Sequence, residues 1–225
     1  LSAVDSHLHL DPLETRREDR SPVDHFFDTL AEAYDGHAVA VVLTGTGSDG
    51  THGIRRIRGM GGIVIVQDPD DAEFDGMPRS ALATGVVDLV LPVAEIPPRI
   101  LELAHTRPEV GDVVTASDDA EEGDRLPRIL TQVHARTGQD FSRYKRSTIQ
   151  RRIERRMQLQ GVERLPEYLR LLRESADEAA ALADDLLINV TSFFRDRAAF
   201  EHLERDVVPR LFEGRQPQER VRIWS

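Results

Sequence analysis

Residues 38–67 read AVAVVLTGTGSDGTHGIRRIRGMGGIVIVQ, and the fold turns on how this stretch is wired. Its two ends, 38–44 and 63–67, are short, rich in Val and Ile, and bounded by glycine. That is the pattern of strands buried on both faces of a parallel sheet. A glycine-rich loop and a helical segment join them. A third run of the same kind occupies 86–91, and Ser21-Pro22 supplies a cap and a first-turn proline for a helix that continues through 31–34. Residues 1–105 therefore alternate strand and helix, and the expected class is α/β with a parallel, doubly wound sheet.

The pattern changes twice downstream. Residues 106–124 are acidic, contain Pro and Gly, and hold almost no large apolar group, which reads as an extended linker. From 125 onward a 3.6-residue period dominates. Ile129, Val133 and Ala135 belong to one helix and Ile149, Ile153 and Met157 to the next, with further helical runs at 165–172, 179–188 and 200–211. A small all-α domain over 125–215 is expected. The run from Val221 to Ser225 returns to a strand-like pattern.

The 225-residue chain has no cysteine, which excludes disulfides, thiolate metal sites and thiol nucleophiles. No metal-ligand cluster stands out. No apolar run approaches the roughly 20 residues that cross a bilayer, and 1–10 alternates polar and apolar residues unlike a signal peptide. A cytoplasmic protein is expected, and the missing initiator Met reads as a fragment. Net charge is −11, which argues against general nucleic-acid affinity. Within 125–173, however, 13 Lys+Arg face 4 Asp+Glu, whereas the remainder carries 16 basic and 36 acidic residues. A basic island in an acidic chain calls for a specific anionic partner.

Two motifs carry candidate chemistry. In 44–50, TGTGSDG, the residues Gly45, Gly47 and Gly50 fit a dinucleotide-binding loop, and Asp68 follows eighteen positions on. Asp49 opposes that reading, because a carboxylate sits where a pyrophosphate would have to bind. An acid after a parallel strand can instead orient the His of a Ser-His-Asp triad. In the basic island, Arg151, Arg152, Arg155 and Arg156 fill a sector of about 140° beside the apolar face of Ile149, Ile153 and Met157. This sector reads either as a solvated face or as an array of forks for carboxylates. Only Phe141 and Tyr144 lie near it as aromatics, so an acidic protein partner fits better than nucleic acid.

Segment 44–50 and segment 73–81, EFDGMPRSA, together with the strands around them, resemble the closing part of the catalytic domain of CheB-type protein-glutamate methylesterases. The resemblance implies that Asp49 is the triad aspartate and that the backbone N–H of Thr46 helps form the oxyanion hole. It implies further that 74–79 lines the substrate site. The nucleophilic Ser and the base His are expected before residue 1, and His7, His9 and His25 read as surface residues. Segments 129–172 and 186–203, with the motif NVTSFFRD at 189–196, are similar to the N-terminal domain of CheR-type chemoreceptor methyltransferases. By that similarity Asn189, Thr191 and Arg195 contact S-adenosylmethionine, and Arg151, Arg152, Arg155 and Arg156 bind the acidic methylation helices of chemoreceptor-like proteins. From the residues alone, Asn189 and Thr191 read equally as helix caps. Residues 216–225 would begin a Rossmann-like methyltransferase domain.

The two resemblances imply a bifunctional enzyme of chemotaxis or two-component signalling. It would methylate receptor glutamates and hydrolyse the resulting esters, with histidine kinases or phosphorylated regulator domains as further partners. The fragment alone is expected to be inactive. The rival reading is a dinucleotide-binding oxidoreductase domain fused to a helical protein-docking module.

Overall fold

The computed structural model describes residues 1–4, 7–10, 21–34, 37–106, 108, 125–187 and 203–212. Residues 1–189 form one compact unit and 190–225 a second. The expected linker lies almost wholly outside the described residues, as does the strand-like run at 221–225.

The first unit opens with an antiparallel pair, β1 (Ser2–Val4) and β2 (His7–His9), in which Ser2 faces His9. The Thr29 hydroxyl of α1 (Pro22–Tyr34) accepts a hydrogen bond from the Ala3 N–H at 3.0 Å and ties this ribbon down. Then come β3 (Val39–Val42), α2 (Thr51–Met60), β4 (Ile63–Gln67), α3 (Gly76–Leu82), β5 (Leu89–Leu91) and α4 (Ile96–His105). The strands form a parallel sheet in the order β3-β4-β5, with Val39 opposite Ile63 and Ile65 opposite Leu89.

Side chains alternate faces along these strands, and both faces are covered. Ala40, Val42, Val64 and Val66 pack with Phe27 and Ala31 of α1 and with Ile54 and Ile57 of α2. Ile63 and Ile65 turn the other way, onto Ile96 and Leu103 of α4. The five residues of β4 are all buried, as its unbroken apolar run predicts for a central strand. At Gly53 the two covering helices meet closely: a Cβ there would come within 2.5 Å of the Phe27 Cβ. Only glycine permits that approach.

Four helices follow in the same unit: α5 (Arg125–Thr137), α6 (Arg146–Leu159), α7 (Leu165–Glu174) and α8 (Ala176–Leu187). Each buries one apolar stripe, and together they enclose a core of their own that includes Ile129, Val133, Ile149, Ile153, Met157, Leu172 and Leu182. Phe141 and Tyr144 stack edge-to-face, with ring centroids 5.2 Å apart, and Phe141 is buried. They serve this core and form no platform for bases. In the second unit, residues 203–207 make a π-helical turn that continues into α9 (Val208–Phe212).

Candidate functional site

The loop after β3 and the loop after β4 meet at the carboxyl ends of the sheet, where open α/β folds place their ligands. Gln67, the last residue of β4, links them. Its Oε1 accepts the Thr44 N–H at 2.8 Å, and its Nε2 donates to the Asp71 carboxylate at 2.9 Å. Asp71 also accepts the Val93 N–H, and these bonds hold its carboxyl below the usual range. Sequence reasoning missed Gln67. The one signal was a polar residue closing an otherwise apolar strand.

The two signature segments lie directly against each other. Gly45 donates its N–H to the Phe74 carbonyl at 2.9 Å and accepts the Met77 N–H at 2.8 Å. Thr44 Oγ1 accepts the Phe74 N–H, and Ser80 Oγ donates to the Gly47 carbonyl. A Cβ on Gly45 would meet Met77 Sδ at 2.5 Å, and one on Gly76 would lie 3.2 Å from both Gly45 O and Gly47 N. The glycines thus serve the contact between two loops. Met77 and the start of α3 pack against Gly45, and the dinucleotide reading gains no support. Thr46 is exposed on this loop, and Phe74 is exposed beside it.

Asp49 sits between the loop and α2. Its Oδ2 accepts the Val23 N–H at 3.1 Å and its Oδ1 the Asp24 N–H at 3.0 Å, both in the first turn of α1. Asp24 returns the favour to α2, its Oδ1 accepting the Gly53 N–H at 2.7 Å. Each acid therefore satisfies N–H groups that the other helix cannot pair internally, and each lies at the positive end of a helix dipole. The exchange fixes the Asp49 carboxylate in position. His7, His9 and His25 are exposed, as expected. Among the described residues no group of three or more His, Asp and Glu could hold a metal ion, and no helix is long and apolar enough to cross a membrane.

Comparison with known proteins matches residues 1–100 to the family model described as CheB methylesterase and residues 124–187 to that of the CheR methyltransferase all-alpha domain. The chain joins a CheB-type methylesterase segment to a CheR-type all-alpha domain. A relative from Rhodobacter capsulatus, an uncharacterized 104.1 kDa protein, is 39% identical over 97% of this chain and 25% of its own length. A protein-glutamate methylesterase/protein-glutamine glutaminase from Rhizobium meliloti is 44% identical over 42% of this chain and 28% of its own. The crystallised catalytic domain of the Thermotoga maritima CheB methylesterase aligns with a TM-score of 0.35 at 41% identity, covering 36% of this chain and 42% of that one. The chain thus spans about a quarter of the length of these curated relatives.

In the CheR-type domain, the positions expected to contact S-adenosylmethionine, Asn189, Thr191 and Arg195, lie outside the described residues. The basic helix α6 is described, and of the two readings of its arginine sector the solvated face does not hold for Arg152 and Arg155. Arg152 and Arg155 are each 2% exposed. The physical reason is a second buried side on α6: its apolar face meets the helical core, and the methylesterase segment covers the arginine face. Arg152 donates to the carbonyls of Arg58 (2.6 Å) and Gly59 (2.5 Å) in the last turn of α2. Arg155 Nε donates to the Gly62 carbonyl at 2.9 Å, and its other nitrogens pair with Asp88 and Asp185. Arg58 pairs with the same two acids. Burial pulls Arg58, Arg152 and Arg155 down to about 10, still cationic at neutral pH. Arg156 is turned to Glu178 of α8, which also accepts the Tyr168 hydroxyl at 2.7 Å and the Gln160 amide at 2.7 Å. Arg151 is half-buried, its side chain lying over Gly61.

Proposed function

We propose that the full protein is a bifunctional chemoreceptor-modifying enzyme, hydrolysing receptor glutamate methyl esters with its CheB-type half and forming them with its CheR-type half. The observation that carries the esterase reading is the Asp49 carboxylate, held by two N–H groups of α1 in the loop after β3 whose Gly45 is bonded to the signature segment 73–81. In this reading Asp49 orients the imidazole that activates a serine, and the Thr46 N–H takes part in stabilising the oxyanion. The exposed Phe74 and its neighbours up to Arg79 meet the receptor. The curated relatives' names pair methylesterase with glutamine glutaminase. An acyl-enzyme route suits both, because only the leaving group differs.

The methyltransferase half rests on the family of residues 124–187. S-adenosylmethionine supplies the methyl group, and the chain's contribution is to hold it: Arg195 at its carboxylate, Asn189 and Thr191 at its polar groups. Receptor-type partners with acidic helices, control by phosphorylated regulators or histidine kinases, and a cytoplasmic location belong to the same proposal.

The test is Asp49→Asn in the full-length protein. An amide can accept only one of the two α1 N–H groups and cannot stabilise an imidazolium, so ester hydrolysis should fall by about 10³–10⁴-fold, while the loss of one backbone bond costs only about 1–3 kcal/mol of stability. Full esterase activity in the variant would refute the role. In parallel, Arg195→Ala should weaken S-adenosylmethionine binding while leaving hydrolysis intact.

A further inference from the structure

Ester hydrolysis needs two groups of the loop after β3 in fixed positions, and they are held differently. The Asp49 carboxylate is fixed directly by the first turn of α1. Thr46 has no such tie: it is exposed, and its N–H meets no acceptor among the described residues. Whatever places that N–H must therefore act on its neighbours in the chain. Downstream, Ser80 Oγ donates to the Gly47 carbonyl at 3.1 Å. Upstream, Gly45 is bonded to Phe74 and Met77, and Thr44 is bonded to Gln67.

The bond at Thr44 takes over where the sheet stops. The β3–β4 ladder ends with the pair Val42 and Val66. Beyond it, Thr44 donates its N–H to the side-chain Oε1 of Gln67 at 2.8 Å. A primary amide offers the donor and the acceptor of a peptide group, so Gln67 extends the ladder by one side-chain bond. The residue springs from a rigid base. It is 4% exposed, its backbone pairs with Leu91 of β5, and the next N–H, of Asp68, donates to the Leu91 carbonyl at 2.8 Å. The far end of the amide is held as well. Its Nε2 donates to the Asp71 carboxylate at 2.9 Å and to the Asp71 carbonyl at 3.3 Å, while the same carboxylate accepts the Val93 N–H at 2.8 Å. An ionised carboxylate only accepts, so the amide fits in one orientation, with Oε1 toward the loop.

We infer that Gln67 is a positioning residue for the hydrolytic reaction: the hydrogen-bonded chain Val93–Asp71–Gln67 sets where the backbone of 44–46 leaves the sheet, and so where the Thr46 N–H meets the developing oxyanion. The inference rests on the esterase reading of Asp49 and Thr46. Gln67 touches no reacting atom and acts through the loop. A donor aimed at an oxyanion is used most fully in the transition state, so misplacing it lowers turnover and spares substrate binding.

The test is steady-state hydrolysis, by the full-length protein, of a peptide carrying a glutamate γ-methyl ester. Gln67→Met keeps the shape of the side chain and removes both of its hydrogen-bonding ends. Its kcat should fall about 10–10²-fold, the cost of a small misplacement, with KM nearly unchanged. Asp71→Ala, at an exposed position, should lose a similar factor. Asp71→Asn, whose amide oxygen can still accept from Gln67 and Val93, should recover most of that loss. The double variant Gln67→Met/Asp71→Ala should be no slower than the slower single one, because the two residues act as one chain. Asp49→Asn in the same assay separates the two ways of failing. If it loses activity while Gln67→Met keeps its kcat or raises KM alone, the positioning role is overturned and the esterase reading stands. Losses that multiply in the double variant overturn the role as well. If Asp49→Asn keeps full activity, the esterase reading falls and this inference falls with it.

Discussion

Gly45 and Gly76 face each other across the contact between the two signature segments, and the atoms that crowd them differ. A methyl group on Gly76 would press on backbone atoms, Gly45 O and Gly47 N at 3.2 Å. These atoms cannot retreat without moving the loop that carries Asp49. A methyl group on Gly45 would press on Met77 Sδ, the end of an unbranched side chain with several rotamers. Gly76→Ala should therefore cost about 1–3 kcal/mol, the usual penalty for overpacking, and Gly45→Ala clearly less. Urea denaturation of the two variants checks the order, and equal losses would mean that Met77 is locked. At this scale much was readable in advance. Asp49 stands out because a carboxylate in a glycine loop contradicts anion binding, which is an argument about one residue and its neighbours. Its partners were not readable, since Val23 and Asp24 lie 26 and 25 positions away and nothing local encodes the pairing.

Helix α6 combines an apolar stripe that was legible with an arginine stripe whose covering was not. Periodicity identifies which residues share a face. It cannot say whether water or another segment covers that face, because Arg155 meets Asp88 across 67 positions of chain. The same helix carries a second buried charge set, wholly inside the helical domain. Glu178, 4% exposed, takes the Arg156 guanidinium with both oxygens and also the Tyr168 hydroxyl and the Gln160 amide. The carboxylate pulls Arg156 upward in pKa against the desolvation that pulls it down, and desolvation pushes Tyr168 up. Removing this acid leaves a guanidinium, a phenol and an amide without their shared acceptor. Glu178→Ala should destabilise the helical domain by about 3–5 kcal/mol, whereas Tyr168→Phe, which removes one donor and leaves the ion pair, should cost about 1 kcal/mol. Equilibrium unfolding followed by far-UV circular dichroism measures both. Similar losses for the two changes would show that the ion pair contributes little.

Across the molecule, composition pointed to two segments of different architecture, and the apolar cores agree with that division, one in the helical domain and two flanking the sheet of the α/β segment. The compact unit nevertheless runs through both of them, from residue 1 to residue 189. A basic island and an acidic remainder were legible as complementary charges. That they neutralise each other within one chain was not, because a sum of charges carries no address. The consequence can be tested in the cooperativity of unfolding. If the ring of Arg58, Asp88, Arg155 and Asp185 couples the cores, the wild-type chain should unfold in a single transition, with hydrogen exchange in β4 and in α8 sharing one opening free energy. Arg155→Met keeps the side-chain volume roughly constant, leaves Arg58 to hold both acids, and removes the bonds to Gly62, Asp88 and Asp185. It should split unfolding into two transitions, one for each segment, without moving the midpoint of the α/β segment by more than the loss of its docked neighbour explains. Two transitions already present in the wild type, or one transition persisting in the variant, would mean that the cores communicate through contacts other than this ring.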